Sequence, residues 1–159
     1  MKFVLAFACL FLAASVFAAD GTSGGDPACA KAQTTLRRAP SSSSGVSWNA
    51  AKYMPFLKME YKGSWVRVQD LDGESHWGRQ SDFTKSFSCI VVKATVATLR
   101  SEPSATAPAA EFKTVDRYTP MKRLESQGEW MHVEDETGRK AWIHESNVWK
   151  PVKIQSMSF

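Results

Sequence analysis

The residues best suited to acid–base, nucleophilic or metal chemistry are His76, His132 and His144, together with Cys29 and Cys89. A Cys–His hydrolase needs its nucleophile beside a base. The zinc-protease motif H-E-x-x-H does not occur in the chain. A zinc site built from these histidines would need ligands from distant parts of the sequence. We therefore expect no catalytic residue, no metal and no cofactor.

The first residues have the layout of a secretory signal peptide. Lys2 precedes an apolar run, Phe3–Phe17, which is followed by small residues. The run is shorter than the roughly 20 residues of a transmembrane helix, and no other segment is apolar enough to span a membrane. We expect a signal peptide at 1–18 and an exported, periplasmic or secreted chain. Lipidation of Cys9 is the alternative, which the short apolar stretch before it disfavours.

Export changes how the remaining cysteines are interpreted. Cleavage would leave Cys29 and Cys89 as a single pair in an oxidising compartment. In such a compartment, a lone pair favours a disulfide over a reactive site.

Charge argues against a nucleic-acid partner. The formal net charge is +4 and the pI is about 9.0, but acidic and basic residues are interspersed and no Lys/Arg block stands out.

The chain repeats itself. Tyr53–Thr84 aligns with Tyr118–Trp149 at a constant offset of 65, and ten of the 32 positions are identical. Further upstream, Thr35–Ser44 matches Thr98–Ala107 at an offset of 63. The identical pairs of the longer block are Tyr53/Tyr118, Pro55/Pro120, Glu60/Glu125, Gly63/Gly128, Trp65/Trp130, Val68/Val133, Asp70/Asp135, Gly73/Gly138, Trp77/Trp142 and Ser81/Ser146. Two copies of one small domain are therefore predicted.

Each copy has the pattern of short β-strands. In WVRVQ (65–69) and WMHVE (130–134), apolar side chains alternate with aromatic or polar ones. Gly73 and Gly138 follow acidic stretches and favour hairpin turns, where a residue that tolerates positive φ is needed. Short strands separated by turns predict an all-β chain of two small barrels.

These motifs resemble those of the bacterial Src-homology-3 (SH3b-like) family. Their order is L-R-x-x-P-S, Y-x-P, G-x-W-x-x-V, an acidic turn ending in Gly, and W-I-H-x-S. The second copy is similar over Ala97–Val148, whereas the first has His76-Trp77-Gly78 in place of the usual small residue, Trp and β-branched residue. The resemblance implies two tandem SH3-like barrels, whose adjacent chain ends would let Cys29–Cys89 staple the first copy shut.

The resemblance also suggests where a ligand binds. A family Trp at the place of Trp65 and Trp130 lines a peptide groove, and strand alternation turns both away from the valine face. The alternative is that curvature or an N-terminal segment buries them. The candidate contact residues are Trp65, Trp130, Tyr53, Tyr118, Arg67 and His132. The usual groove Tyr is missing after Ser81 and Ser146, which argues against the usual proline-peptide recognition.

Other recurring residues are expected to have structural roles. Trp77 and Trp142 are expected in the core. Arg37 and Arg100 recur before a proline and favour a local ion pair with Asp70 or Asp135, a carboxylate clamp for a ligand being the alternative.

The predicted organisation is a signal peptide (1–18), a disordered leader (19–30), a first barrel (31–88), a second barrel (89–151) and a tail (152–159). The apolar segment Ser88–Ala94 indicates a strand and a fixed angle between the barrels. The predicted function is non-catalytic binding of cell-wall peptidoglycan peptides or an envelope protein. The alternative is a structural or regulatory adaptor, or an inhibitor, that docks to one envelope hydrolase. The oligomeric state is left open.

Overall fold

The structure is a computed structural model that describes residues 25–153. The predicted signal peptide, the beginning of the predicted leader and residues 154–159 lie outside the described residues. Within this range the chain is all-β, as predicted, apart from the short 3-10 turns Gln80–Asp82 and Glu145–Asn147. No helix within residues 25–153 is long and apolar enough to cross a membrane.

The first barrel is a seven-stranded sheet whose order is β3-β2-β6-β5-β4-β1-β7. Its neighbouring strands are antiparallel. The strands are β1 (Asp26–Ala30), β2 (Thr34–Arg37), β3 (Val46–Ala50), β4 (Pro55–Lys62), β5 (Trp65–Gln69), β6 (Ser75–Arg79) and β7 (Phe83–Thr84).

The second barrel repeats this order seven strands later, as β10-β9-β13-β12-β11-β8-β14. Its strands are β8 (Ser88–Val92), β9 (Val96–Arg100), β10 (Ala109–Asp116), β11 (Pro120–Gln127), β12 (Trp130–Glu134), β13 (Lys140–His144) and β14 (Val148–Trp149). The sequence repeat is therefore a repeat of topology.

The repeat extends to backbone conformation. Gly63 and Gly128 both have φ of 57°, in the turns that precede β5 and β12. Tyr53 and Tyr118 have φ of 70° and 68°, a left-handed conformation that is uncommon for a residue with a side chain. The two tyrosines that recur in the sequence therefore occupy matched positions with positive φ.

The recurring aspartates hold the hairpins between β5–β6 and β12–β13. One carboxylate oxygen of Asp70 accepts the backbone N–H groups two and four residues further on, at 3.0 and 2.8 Å. Asp135 accepts the equivalent pair, at 2.9 Å each. Both side chains are buried, so these hydrogen bonds replace the water that burial removes.

Asp135 has additional partners in the second hairpin. The Thr137 hydroxyl and the Arg139 guanidinium donate to it at 2.7 and 2.8 Å. Burial raises the pKa of this carboxyl, but the hydrogen bonds from Thr137 and Arg139 outweigh burial and lower its pKa below the ordinary value.

The two cores are filled differently at two matched positions. Ile143 and Val148 pack in the second core, and the repeat places Gly78 and Phe83 there in the first. A Cβ added to Gly78 would lie 2.7 Å from the Phe83 ring and 3.0 Å from Leu36. The larger Phe83 ring therefore occupies the space that Ile143 fills in the second copy.

The predicted disulfide is present between Cys29 and Cys89, whose Cα atoms are 6.0 Å apart. Its expected role was wrong: Cys29 lies in β1 of the first barrel and Cys89 in β8 of the second. The bridge therefore joins the two barrels instead of closing the first. Val91, also in β8, is buried in the first barrel's hydrophobic cluster, so apolar packing crosses the same seam.

A polar contact joins the barrels at a second place. Asp72, in the β5–β6 turn, accepts hydrogen bonds from the Arg117 guanidinium and from the Tyr118 hydroxyl. Burial and the hydrogen bond to Asp72 raise the pKa of the Tyr118 hydroxyl. The Tyr118 ring also packs edge-on against Trp48, with ring centroids 5.8 Å apart.

The structure corrects the predicted leader at Asp26–Ala30. This segment is strand β1, held between β4 and β7, with Ala28 and Ala30 buried in the first core. In the second copy, the apolar segment Ser88–Ala94 was predicted to be a strand, and its first five residues, Ser88–Val92, form β8.

Candidate functional site

The outer faces of two matched hairpins carry the candidate site. In β5, Val66 and Val68 point into the core and are fully buried. Trp65 and Arg67 alternate with them and therefore lie on the opposite face. The same alternation recurs in β12, where Met131 and Val133 point inward.

In the first barrel this surface is the Trp–Arg face, formed by Trp65, Arg67, Trp77 and Arg79. Trp65 pairs with Arg79 and Arg67 pairs with Trp77 across β5 and β6, so all four share one side of the sheet. The Arg79 guanidinium lies 4.1 Å from the Trp65 ring centroid, in the geometry of a cation–π contact. Trp65 is consequently only 9% exposed.

In the second barrel the equivalent surface is the Trp–His face, formed by Trp130, His132, Trp142 and His144. His132 stacks on Trp142, with centroids 4.7 Å apart and an interplanar angle of 12°. Trp130 and His144 meet edge to face at 5.2 Å. All four side chains are partly exposed. The copies thus share two tryptophans and differ by two Arg-to-His replacements.

Acidic residues border both faces. Glu60 accepts a hydrogen bond from Arg67 at 2.9 Å. Its repeat partner Glu125 lies 3.3 Å from His132 Nδ1. His144 Nε2 lies 3.6 Å from Glu129. Arg67, His132 and His144 therefore each have an acidic neighbour that orients them beside a tryptophan.

The matched arginines Arg37 and Arg100 extend these faces by one strand. They stand opposite Trp77 and Trp142 in the sheet. The predicted ion pairs with the hairpin aspartates are wrong: Arg37 donates to the Ser44 carbonyl at 2.7 Å, and Arg100 makes the matching bond at 3.0 Å. One of the five guanidinium donors fixes the following loop in this way, and the others border the face.

The prediction that Trp77 and Trp142 lie in the core was wrong. In β13, Ala141 and Ile143 point inward, so Trp142 must point outward. Trp77 is likewise only half-buried, with Gly78 next to it turned inward. Alternation in HWGR and AWIH was the available signal, and it also identifies Arg79 and His144, which sequence reasoning missed.

The two candidate tyrosines lie elsewhere. Tyr53 is 7% exposed and packs edge-on against Phe87 beside the disulfide. Tyr118 lies at the contact between barrels described above. Neither belongs to a Trp face, so both are better assigned to the fold than to a contact surface.

The arrangement can bind flat or apolar groups on its indole rings and can anchor carboxylates or amides at its edges. Arginine is always charged and presents a planar fork of donors, whereas a neutral imidazole donates and accepts one hydrogen bond each. Within residues 25–153 no group of three or more His, Cys, Asp or Glu side chains is placed to hold a metal ion.

Comparison with known proteins gives one family match and several weak structural likenesses. Residues 93–150 match the family model described as a bacterial SH3 domain. No curated protein matches the chain.

Three solved structures illustrate the likenesses. An NlpC/P60 family protein from Bacillus cereus ATCC 10987 is 16% identical, with a TM-score of 0.37 over 80% of this chain and 57% of that chain. NlpC2 from Trichomonas vaginalis is 11% identical, with a TM-score of 0.35 over 80% of this chain and 48% of that one. The structure "Endolysin LysPBC5 CBD" is 17% identical, with a TM-score of 0.32 over 84% of this chain and 98% of that one.

The chain spans about half the length of the two NlpC structures. Identities and TM-scores this low carry no functional argument. The family match, by contrast, covers strands β9–β14 of the second barrel. Residues 93–150 therefore match a bacterial SH3 domain, and the first barrel has the same strand order as the second.

Proposed function

We propose that this chain is an exported, non-catalytic binding module that recognises the peptides of cell-wall peptidoglycan through its paired Trp faces. The single observation that carries the proposal is the recurrence of two outward tryptophans with cationic or imidazole partners at the same four positions of both barrels. The family match supports a binding role and leaves the target open.

The exposure of these aromatics favours contact with a partner. His132 and His144 keep 24% and 30% of their side-chain surface exposed, and Trp130 and Trp142 are only partly buried. Inward positions of the same strands are taken by smaller residues, so the tryptophans are not needed to fill the core. Aromatic anchors of this kind contribute a large share of the energy at binding surfaces.

The chemistry of the faces suits a short peptide that carries carboxylates. Flat amide groups can stack on the indole rings, and carboxylates can pair with the bordering guanidinium groups of Arg37 and Arg100. Cell-wall peptides offer both groups in an extended chain.

The two faces would contribute unequally. Arg79 covers Trp65 in the first barrel, so a ligand there would have to displace a guanidinium or stack upon it. In the second barrel the stacked pair His132–Trp142 is already partly exposed. We therefore assign the larger share of binding to the Trp–His face.

An extracytoplasmic location supports the proposal. The buried disulfide Cys29–Cys89 suits an oxidising compartment such as the cell envelope or the exterior.

The test is retention on purified cell-wall sacculi at about 0.15 M salt, where long-range charge attraction is largely screened. Trp142→Ala is the test variant, and Tyr61→Ala is the matched control because Tyr61 is 54% exposed and lies on neither Trp face. Loss of an aromatic anchor worth about 2 kcal/mol weakens binding about thirtyfold, whereas the control should bind like the unchanged chain. Circular dichroism should show both variants folded.

Other outcomes lead elsewhere. Equal loss in Trp142→Ala and Tyr61→Ala would contradict the assigned face. If the unchanged chain is not retained, the wall is not the target. Stoichiometric co-purification with one envelope hydrolase would then support the adaptor or inhibitor role.

A further inference from the structure

A cleft lies between the two barrels, beside the disulfide. It encloses about 550 Å³, a volume typical of sites for small ligands or short peptide segments. The first barrel lines it with β1 and the segment that follows β7, and the second with β8, Arg123 of β11 and the segment Lys150–Lys153. We call it the seam cleft. None of the residues of the Trp faces lines it.

The floor of the seam cleft is apolar and held in place. Pro27, Phe87, Pro151 and the disulfide residues contribute to it. The Phe87 ring is fixed by its edge-on contact with Tyr53, at 5.5 Å.

The rim is strongly positive. Its charged members are Lys85, Arg123, Lys150, Lys153 and a single acid, Asp26. Four cations against one carboxylate leave a net charge of three positive. The cations come from separate segments of both barrels, so the fold concentrates them. A concave surface lined by one sign of charge attracts ligands of the opposite sign.

Only part of this charge is neutralised within the described residues. Asp26 pairs with Lys85 at 3.0 Å and more loosely with Lys153 at 3.9 Å. The hydrogen bond and charge of Lys85 lower the pKa of Asp26, and Lys153 adds to the effect. Lys150 forms no ion pair among residues 25–153.

Arg123 is also without an acidic partner in the same part of the chain. Its guanidinium donates only to the hydroxyls of Ser126 and Ser88, at 3.4 and 3.3 Å. These hydroxyls orient the planar fork and leave its charge uncompensated. A carboxylate is the partner that such a fork accepts in a bidentate manner.

We propose that the seam cleft binds an acidic peptide, with one apolar side chain against Phe87 and the disulfide and with carboxylates on Arg123 and Lys150. A small inorganic anion would engage the cations but leave the apolar floor uncovered, whereas a peptide engages both. This site is separate from the Trp faces and does not depend on what those faces bind.

The test uses the full disulfide-bonded chain and a fluorescent, end-blocked octapeptide of alternating Asp and Leu, followed by anisotropy at about 0.15 M salt. The double variant Arg123→Gln/Lys150→Gln removes the two uncompensated cations. The matched control, Lys62→Gln/Lys113→Gln, removes two exposed lysines that do not line the cleft. Thermal unfolding checks that both variants fold.

The proposal predicts that the cleft variant binds the peptide at least about tenfold more weakly, since each charge-assisted hydrogen bond contributes to affinity. The control should change binding less than twofold, and an Asn–Leu octapeptide should bind poorly. If both variants weaken peptide binding equally, the peptide is attracted by the overall positive charge of the protein and not by the cleft, which would overturn the proposal. So would equal binding of the Asn peptide, full competition by millimolar inorganic phosphate, or no binding at all. The cleft variant should still be retained on sacculi like the unchanged chain. This measurement distinguishes failure of the cleft proposal from failure of the Trp-face proposal.

Discussion

Removal of the Cys29–Cys89 bridge should strongly lower the free energy of unfolding. The bridged residues are 60 positions apart. In the chain-entropy model, closing a loop of this length restricts the unfolded chain by an amount worth about 4 kcal/mol at 25 °C. The variant Cys29→Ala/Cys89→Ala avoids placing a polar hydroxyl at two sites that are only 3% and 4% exposed.

Urea unfolding followed by tryptophan fluorescence measures the effect. With a slope of about 2 kcal/mol per M, a loss of 4 kcal/mol lowers the midpoint by about 2 M. The unchanged chain kept in reducing agent is the control and should unfold near the double variant. A midpoint shift below about 0.5 M, with the bridge verified by mass in the unchanged chain, would refute the reasoning.

Two further predictions concern matched positions of the repeat. Gly78→Ala should destabilise the chain by about 1–3 kcal/mol, because the new methyl group meets the Phe83 ring at 2.7 Å. Gly78→Ala combined with Phe83→Val should recover part of the melting temperature, and no recovery would contradict the packing argument. Asp135→Asn should destabilise the chain at neutral pH, and the gap in stability between it and the unchanged chain should narrow as the pH falls below about 4. The folded pKa of Asp135 lies below its ordinary value, so its contribution is present above the unfolded pKa and is lost as pH falls through the folded pKa. A gap that stays constant from pH 7 to pH 2, measured by urea unfolding, would count against this role.

The repeat predicted more of the fold than any single segment did. Recurrent Gly63/Gly128 and Asp70/Asp135 placed the turns correctly, because their backbone requirements are local and leave a sequence signal. Strand β1 was missed because five residues beside a Gly/Pro-rich segment show no clear alternation. Its pairing with β4 and β7 is a long-range property that local patterns do not carry.

The site was predicted in part. Trp65, Trp130, Arg67 and His132 lie on the Trp faces as the alternation of β5 and β12 indicated. Their use in binding stays a prediction. Trp142 and its repeat partner were assigned to the core because large aromatics usually fill small barrels.

The partners of long polar and sulfur side chains could not be predicted. Arg37 and Arg100 bind loop carbonyls rather than acids, and the recurrence of an arginine does not reveal which acceptor the loop brings near. The disulfide was predicted as a pair, but whether Cys89 closes the first barrel or joins the second depends on which sheet β8 enters.

The central claim is that the Trp faces contact the ligand, and indole N–H resonances test it most directly. Four of the six tryptophans lie on the two faces, while Trp48 and Trp149 pack against the first core and serve as internal references. Titration with soluble cell-wall peptide fragments should shift the Trp130 and Trp142 resonances most and leave Trp48 and Trp149 in place. Shifts confined to Trp48 and Trp149, or no shift of any indole at saturating fragment, would contradict the account.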